Sequence, residues 1–206
     1  MAVSITICNL ALGDIRAPAI QTIDDPSTEA QMCARYYPHC LSLMLDDYTW
    51  QFTKRIVDLA LLGTNERSPE WSYAYALPDD CSQPLRLMPS APTVTDATLW
   101  RDPTDMALPR WWEQFIVENG ALYTNIADAR LEYSCDAADE SVFPPMFREA
   151  LRKLLAANLA IPIRDSRELE GDLLKMADQA RQSAIANDMN RAPRNELTDD
   201  VAWARR

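Results

Sequence analysis

Residues 70–81 read EWSYAYALPDDC, and the fold is organised around this stretch. Trp71, Tyr73, Tyr75 and Leu77 are bulky and alternate with Ser72, Ala74 and Ala76. A period of two places the bulky groups on one face of a strand and the small ones on the other. Pro78-Asp79-Asp80 ends the run, because proline removes a ladder donor and aspartate favours turns. The chain before this strand reads mostly as helix. About sixty residues of short strands and loops follow it, and then helical periodicity returns. The pattern predicts an α+β fold: a helical bundle, with N-terminal helices and two long C-terminal ones, carrying an inserted small antiparallel β region. The expected division is a helical body at 1–69 and 141–187, a β-rich insertion at 70–140, and an extended tail at 188–206.

Upstream of the strand, Ile5, Cys8 and Leu12 recur at helical spacing over 4–12, with Gly13 placed to cap the end. Asp25 and Pro26 read as the cap and first position of a second helix. Ala30, Cys33, Ala34, Tyr37, Leu41, Met44 and Leu45 form its apolar stripe, and Pro38 is expected to kink it. Residues 48–62 read as an extended lead-in followed by one or two helical turns.

Downstream, 83–110 carries five prolines, and only 85–88 has strand character. Asn119-Gly120, between Phe115/Val117 and Leu122/Tyr123, is a hairpin signal, since a type I′ turn needs two positive φ angles. Residues 129–133 are a further strand. The helix at 146–159 has a wide apolar stripe and is expected to end at Ile161-Pro162. A last long helix, capped by Asp165 or Ser166, carries Leu169, Leu173, Met176, Ala177, Ala180 and Ala184 on its apolar face. The tail holds four basic and four acidic residues from Asp188 on, with one tryptophan, Trp203. Segments of this composition are usually disordered alone, and an aromatic in such a tail reads as a docking anchor. Trp203, Arg205, Arg206, Arg191 and Arg194 are therefore the expected partner-contacting residues.

Chemistry-bearing patterns are few. The five cysteines form no CxxC pair, so neither a zinc site nor a disulfide framework is expected. Cys33 and Cys40 share a helix face and read as small buried groups. The single histidine, His39, adjoins Cys40, but neighbours on a helix point about 100° apart, which separates nucleophile from base. None of the four glycines lies in a phosphate-binding loop pattern. The acidic pairs Asp24-Asp25 and Asp79-Asp80 sit beside prolines at element ends, where turns and caps use them. No enzyme activity, cofactor or metal is expected. Net charge is −11, and 70–140 supplies −9 of it through thirteen Asp/Glu against four Arg. Such a surface disfavours gripping a phosphate backbone. No apolar run approaches the roughly 20 residues of a membrane span. The first residues lack the basic stretch of a secretory leader, so synthesis in a cytoplasm is expected.

Several segments together resemble a known family. They are ICNLALGDI at 7–15, Asp24-Asp25 ahead of a long helix, DYTWQFTKR at 47–55, and WSYAYALPDDC at 71–81. ALYTN with ARLEY at 121–133 and FPPMFREALRKLLAANLAIPI at 143–163 complete the set. In this order they resemble the tail tubular protein A, or head-to-tail adaptor, family of podovirus-type phages, over about residues 5–187. The proline-rich 89–110 has no counterpart in it. The resemblance implies a virion structural protein, located in the tail or neck, with a helical bundle and a β-rich domain. It implies a protein made in the host cytoplasm that forms a homo-oligomeric ring, usually twelve subunits, below the portal protein. The ring joins head to tail nozzle protein and surrounds the path of the DNA without sequence-specific binding. No catalytic residues come with it. The alternative is a non-enzymatic soluble regulatory or scaffolding module that binds a phage or host protein without forming a ring.

Overall fold

The computed structural model describes residues 3–89, 114–136 and 140–191. The described residues are α+β and fall into two units. One comprises those up to Gln51 and from Glu140 on; the other begins at Phe52 and holds the strands.

The helical unit is built on α3, Pro145–Arg164, against which α1 (Ile5–Asp14), α2 (Thr28–Asp46) and α4 (Arg167–Arg191) all pack. Its sequence explains that position. Phe147, Ala150, Leu151, Leu155, Ala156, Ala157, Leu159 and Ala160 are buried, a stripe wide enough to meet neighbours on several sides. The alanines let the neighbouring helices approach. On α2 the buried Ala30, Cys33, Tyr37, Cys40, Leu41 and Met44 follow three-four spacing. Pro145 sits in the first turn of α3, where its missing N–H costs nothing.

Helix ends differ from expectation in chemistry more than in place. Ser27, not Asp25, caps α2, its Oγ accepting the Ala30 N–H at 3.3 Å. Asp25 instead closes the preceding turn, accepting from the N–H groups of Gln21 and Thr22 and from Thr22 Oγ1. Those bonds, led by the Thr22 N–H, lower its pKa. The left-handed residue after α1 is Arg16, at φ 57°, rather than Gly13. Asp165 is the left-handed C-cap of α3, and Ser166 Oγ accepts the Leu169 N–H to start α4. Helix α3 runs through Pro162 because the ring lies on an exposed side, two residues before the helix's last residue, Arg164.

The β unit contains two antiparallel sheets. One has the order β1-β7-β4, from Lys54–Asp58, Ala129–Cys135 and Cys81–Pro89. The other has the order β2-β3-β6-β5, from Ala60–Leu61, Tyr73–Ala76, Ala121–Thr124 and Phe115–Glu118. The expected start of this unit at Glu70 is corrected to Phe52, because 54–61 pairs as β1 and β2 instead of forming helical turns. Tyr73, Tyr75 and Leu77 face one apolar cluster with Leu87, Leu122, Leu131 and Tyr133, as alternation required, while Ala74 faces a second with Ala121 and Tyr123. Trp71 departs from the pattern and packs with the second cluster, outside the strand. Asn119 and Gly120 have φ of 50° and 76° and turn β5 into β6. Pro84 is tolerated in β4 because β4 is a sheet edge with a register shift beside it. Residues 90–113, with Trp100 and Met106, lie outside the described residues.

The helical unit is interrupted in sequence, and aromatic rings join its two parts. Trp50, 1% exposed, meets Phe147 edge-on at 4.9 Å, and Phe147 meets Phe143 at 4.9 Å. Trp50 Nε1 donates to the Met44 carbonyl at 2.7 Å. Trp50→Ala is expected to destabilise the helical unit by about 3–5 kcal/mol, whereas Trp50→Phe should cost less because a ring still fills the site. Urea titrations followed by far-UV circular dichroism measure both.

Candidate interaction surfaces

The residues singled out for chemistry do not converge. His39 is exposed on α2, while the adjacent Cys40 is buried, its Sγ accepting from Asn158 Nδ2 at 3.5 Å. Burial pushes the Cys40 thiol up to about 12, opposite to what a nucleophile needs. Asp79 is exposed, and Asp80 is a structural hub. It accepts from Tyr133 Oη at 2.9 Å and from Arg55 Nη1 at 2.6 Å, tying the 78–80 turn to β7 and β1. Among the described residues no three His, Cys, Asp or Glu side chains gather as metal ligands would. No described helix is long and apolar enough to cross a membrane.

Of the expected partner-contacting residues, Arg191 is the last residue of α4 and is exposed. Arg194, Trp203, Arg205 and Arg206 lie outside the described residues. The expected start of the tail at Asp188 is corrected, since 188–191 is helix. Asp188 is 4% exposed. Its Oδ2 accepts the Gln51 N–H at 3.0 Å, at the start of a 3-10 turn, Gln51–Thr53. Burial first, then the charge of Asp188, raises the pKa of Tyr48 beside it. About two helical turns earlier, Arg181 pairs with Asp47, the C-cap of α2. Helix α4 thus clasps the chain where it leaves α2. This clasp was not read from the sequence. Its signal was present: Leu173, Ala177, Arg181, Ala184 and Asp188 fall on one helical stripe, so a charge on that stripe needed a partner.

A second anchor joins α1 to α3. Asp14 meets Arg152 Nε at 3.1 Å and Lys153 Nζ at 3.2 Å, with all three side chains about one-fifth exposed.

With these charges engaged inward, the free surface is apolar in several places. On the β unit Ile56 and Leu61 are 57% and 63% exposed, and Val57 and Val117 are also exposed. Strand β1 has Ile56 and Val57 on opposite faces and lies at the edge of its sheet. On the helical unit Leu10, Leu43, Leu174, Met176 and Met189 are exposed. Met176, expected on the buried face of α4, stands at 50% exposure because it lies about 100° round from Ala177. Exposed apolar side chains of this kind offer area for contact by shape.

No protein-family model matches the chain, and no curated protein matches it.

Two substitutions separate the clasp's parts. Asp188→Ala is expected to cost about 1–3 kcal/mol, because it removes the charged acceptor of the part-buried Gln51 N–H; Asp188→Asn, which keeps an acceptor, should cost less. Arg181→Ala should cost under about 1 kcal/mol, since its pair is partly solvated. Chemical denaturation of each variant gives the ranking. Alkali tests the core. Tyr37 is 1% exposed, and burial, helped by Glu140 and Cys8, pushes its pKa from 10.0 up to about 12. The folded state therefore holds this proton more tightly than the unfolded chain. Its stabilising effect is complete below pH 10 and is lost as pH rises through about 12. Tyr37→Phe should flatten the fall in melting temperature over that range.

Proposed function

We propose that this chain is a structural protein of a phage virion, a head-to-tail adaptor that assembles into a ring below the portal, joins head to tail nozzle and encloses the DNA path. The observation that carries the reading is where the resembling segments meet. DYTWQFTKR supplies Trp50, and FPPMFREALRKLLAANLAIPI supplies Phe143 and Phe147. These rings pack together at the two ends of the insertion. WSYAYALPDDC and ALYTN pair as β3 and β6, the two inner strands of the four-stranded sheet. The resembling segments thus supply the ring contacts within the helical unit and a strand pair within the β unit.

The surface is consistent with assembly. A ring subunit needs two different side faces that fit head to tail and close by rotation. The exposed Ile56, Val57, Leu61 and Val117 on one unit and Leu10, Leu43, Leu174 and Met176 on the other offer apolar area for that purpose. A conduit for DNA is served by a wall that does not bind phosphate, and the net charge of −11 per copy suits that need.

Mixing the purified chain with rings of the portal from the same phage and weighing the product by native mass spectrometry tests the proposal. A closed ring of this chain added to the portal is the expected result. A chain that stays monomeric beside an intact portal would sink it, and a stoichiometric complex with a different protein would favour the scaffolding module. A chain ending at Arg191 keeps Asp188 and its clasp while lacking Arg194, Trp203, Arg205 and Arg206. It should fold as the full chain does and bind the portal at least tenfold more weakly, the loss expected for a tryptophan hot spot of about 2 kcal/mol. Unchanged binding would remove the tail from the interface.

A further inference from the structure

The β unit brings two cysteines face to face. Cys81 opens β4 and Cys135 closes β7, and the strand register places them directly opposite. Opposed residues on antiparallel strands project to the same face. The backbone bonding identifies the kind of pair. Cys81 N–H donates to the Pro78 carbonyl at 3.0 Å, and Asp136 N–H donates to the Asp80 carbonyl at 3.2 Å. The two cysteines therefore form a non-hydrogen-bonded pair, for which the Cα separation is about 4.5 Å. A disulfide spans Cα separations of about 4.4–6.8 Å. Both side chains adjoin one apolar cluster, Cys135 at 2% exposure and Cys81 partly buried against it.

Access singles out this pair. Cys8, Cys33 and Cys40 are 0% exposed in the helical unit, beyond the reach of a solute oxidant. Cys81 is the one cysteine of the five that is not fully buried. Arg55 pairs with Asp80, the residue before Cys81, at 2.6 Å.

We propose that Cys81 and Cys135 are a redox-responsive dithiol, closed to a cross-strand disulfide by a small-molecule disulfide such as oxidised glutathione. Cys81 gives its proton to water, and its thiolate attacks one sulfur of the oxidant. The oxidant's S–S bond breaks, a glutathione thiolate leaves, and Cys81 carries a mixed disulfide. Cys135 then loses its proton, and its thiolate attacks the Cys81 sulfur and expels the second glutathione thiolate. The protein has lost two electrons and two protons, and one oxidised glutathione has become two reduced ones. Burial, with the charges of Asp80 and Asp136, raises the Cys81 pKa, so closure is slow at neutral pH and quickens as pH rises. The new bond ties the edge strand β4 to the central strand β7 and closes a loop that contains β5 and β6, so it restricts the unfolded chain strongly.

The experiment uses the native full-length chain with excess oxidised glutathione over a range of pH. The reaction is quenched in acid, the protein denatured and alkylated, and the unreduced digest mapped by mass spectrometry. The expected product is one cross-linked peptide pair joining Cys81 to Cys135. It should form faster at higher pH, and the oxidised protein should unfold at a higher urea concentration than the reduced one. In Cys135→Ser the glutathione adduct on Cys81 should persist instead of resolving. A stable Cys81 adduct in the unaltered chain with Cys135 still free would overturn the proposal. So would a cross-link to another cysteine, or all five thiols alkylated. The unaltered chain decides the matter, so a poorly folding variant does not blur it.

Discussion

Everything in the helical unit depends on closing the chain across an interruption. Helix α2 ends at Asp46, the chain departs after Gln51, and it resumes at Glu140. Leaving two ends to find each other over so long a loop carries an entropic penalty that grows only slowly with length but must be met. The contact that meets it is the edge-on stack of Trp50 on Phe147, extended by Tyr48 at 5.0 Å on one side and Phe143 at 4.9 Å on the other. Each such aromatic pair contributes about 0.5–1.5 kcal/mol beyond the area it buries. The indole N–H, which would be stranded in an apolar site, finds the Met44 carbonyl at the end of α2. The same ring therefore fixes where α2 stops and where α3 begins.

The acidic side chains are used in a related way. A reading of charge alone assigns them to a solvated face. Several instead hold joints. Asp14 binds Arg152 and Lys153, Asp47 binds Arg181, Asp80 binds Arg55 and Tyr133, and Asp188 binds the Gln51 N–H. Most of these pairs are partly exposed and contribute little each. Asp188 differs because it is itself buried, so its loss removes a charged acceptor from the part-buried Gln51 N–H. Of the carboxylates in the two acidic pairs, Asp25 is occupied by its own turn and Asp80 by Arg55 and Tyr133.

What could be read in advance follows from range. The alternation at Tyr73–Ala76 and the Asn119-Gly120 turn are local patterns, and local patterns state their own structure. Strand β1 is the opposite case. Four of its five residues are exposed, so it has no buried face to imprint a period of two, and its partner β7 lies more than seventy residues away. Ile56, Leu59 and Ala60 fit a helix equally well until that partner is known. Asp188 reads as tail because its neighbours are polar, although its helical phase matches Leu173 and Ala184. Choice of cap was ambiguous for a different reason: Asp25 and Ser27 both supply oxygens near the start of α2, and only the geometry of the Thr22 turn decides which serves it. The interaction surfaces were least legible, since an exposed leucine and a buried one look alike in a sequence.

On the proposed reading, a ring of this protein faces a conflict built into its composition. Each copy carries −11, so bringing copies together sums like charge. At about 0.1 M salt, charges more than about 10 Å apart are largely screened, so the repulsion is felt mainly at the seams. Apolar area there must outweigh it, and Ile56, Leu61 and Val117 lie on the same unit that holds most of the excess acid. A pair of copies gains one seam against the entropy of association, whereas a closed ring gains a seam for every copy. An acidic subunit with moderate apolar faces is thus poorly suited to pairing at random and suited to closing on a template that already holds its neighbours in place. The acidity that keeps the finished wall from binding DNA would, by the same electrostatics, keep free subunits apart until that template is present.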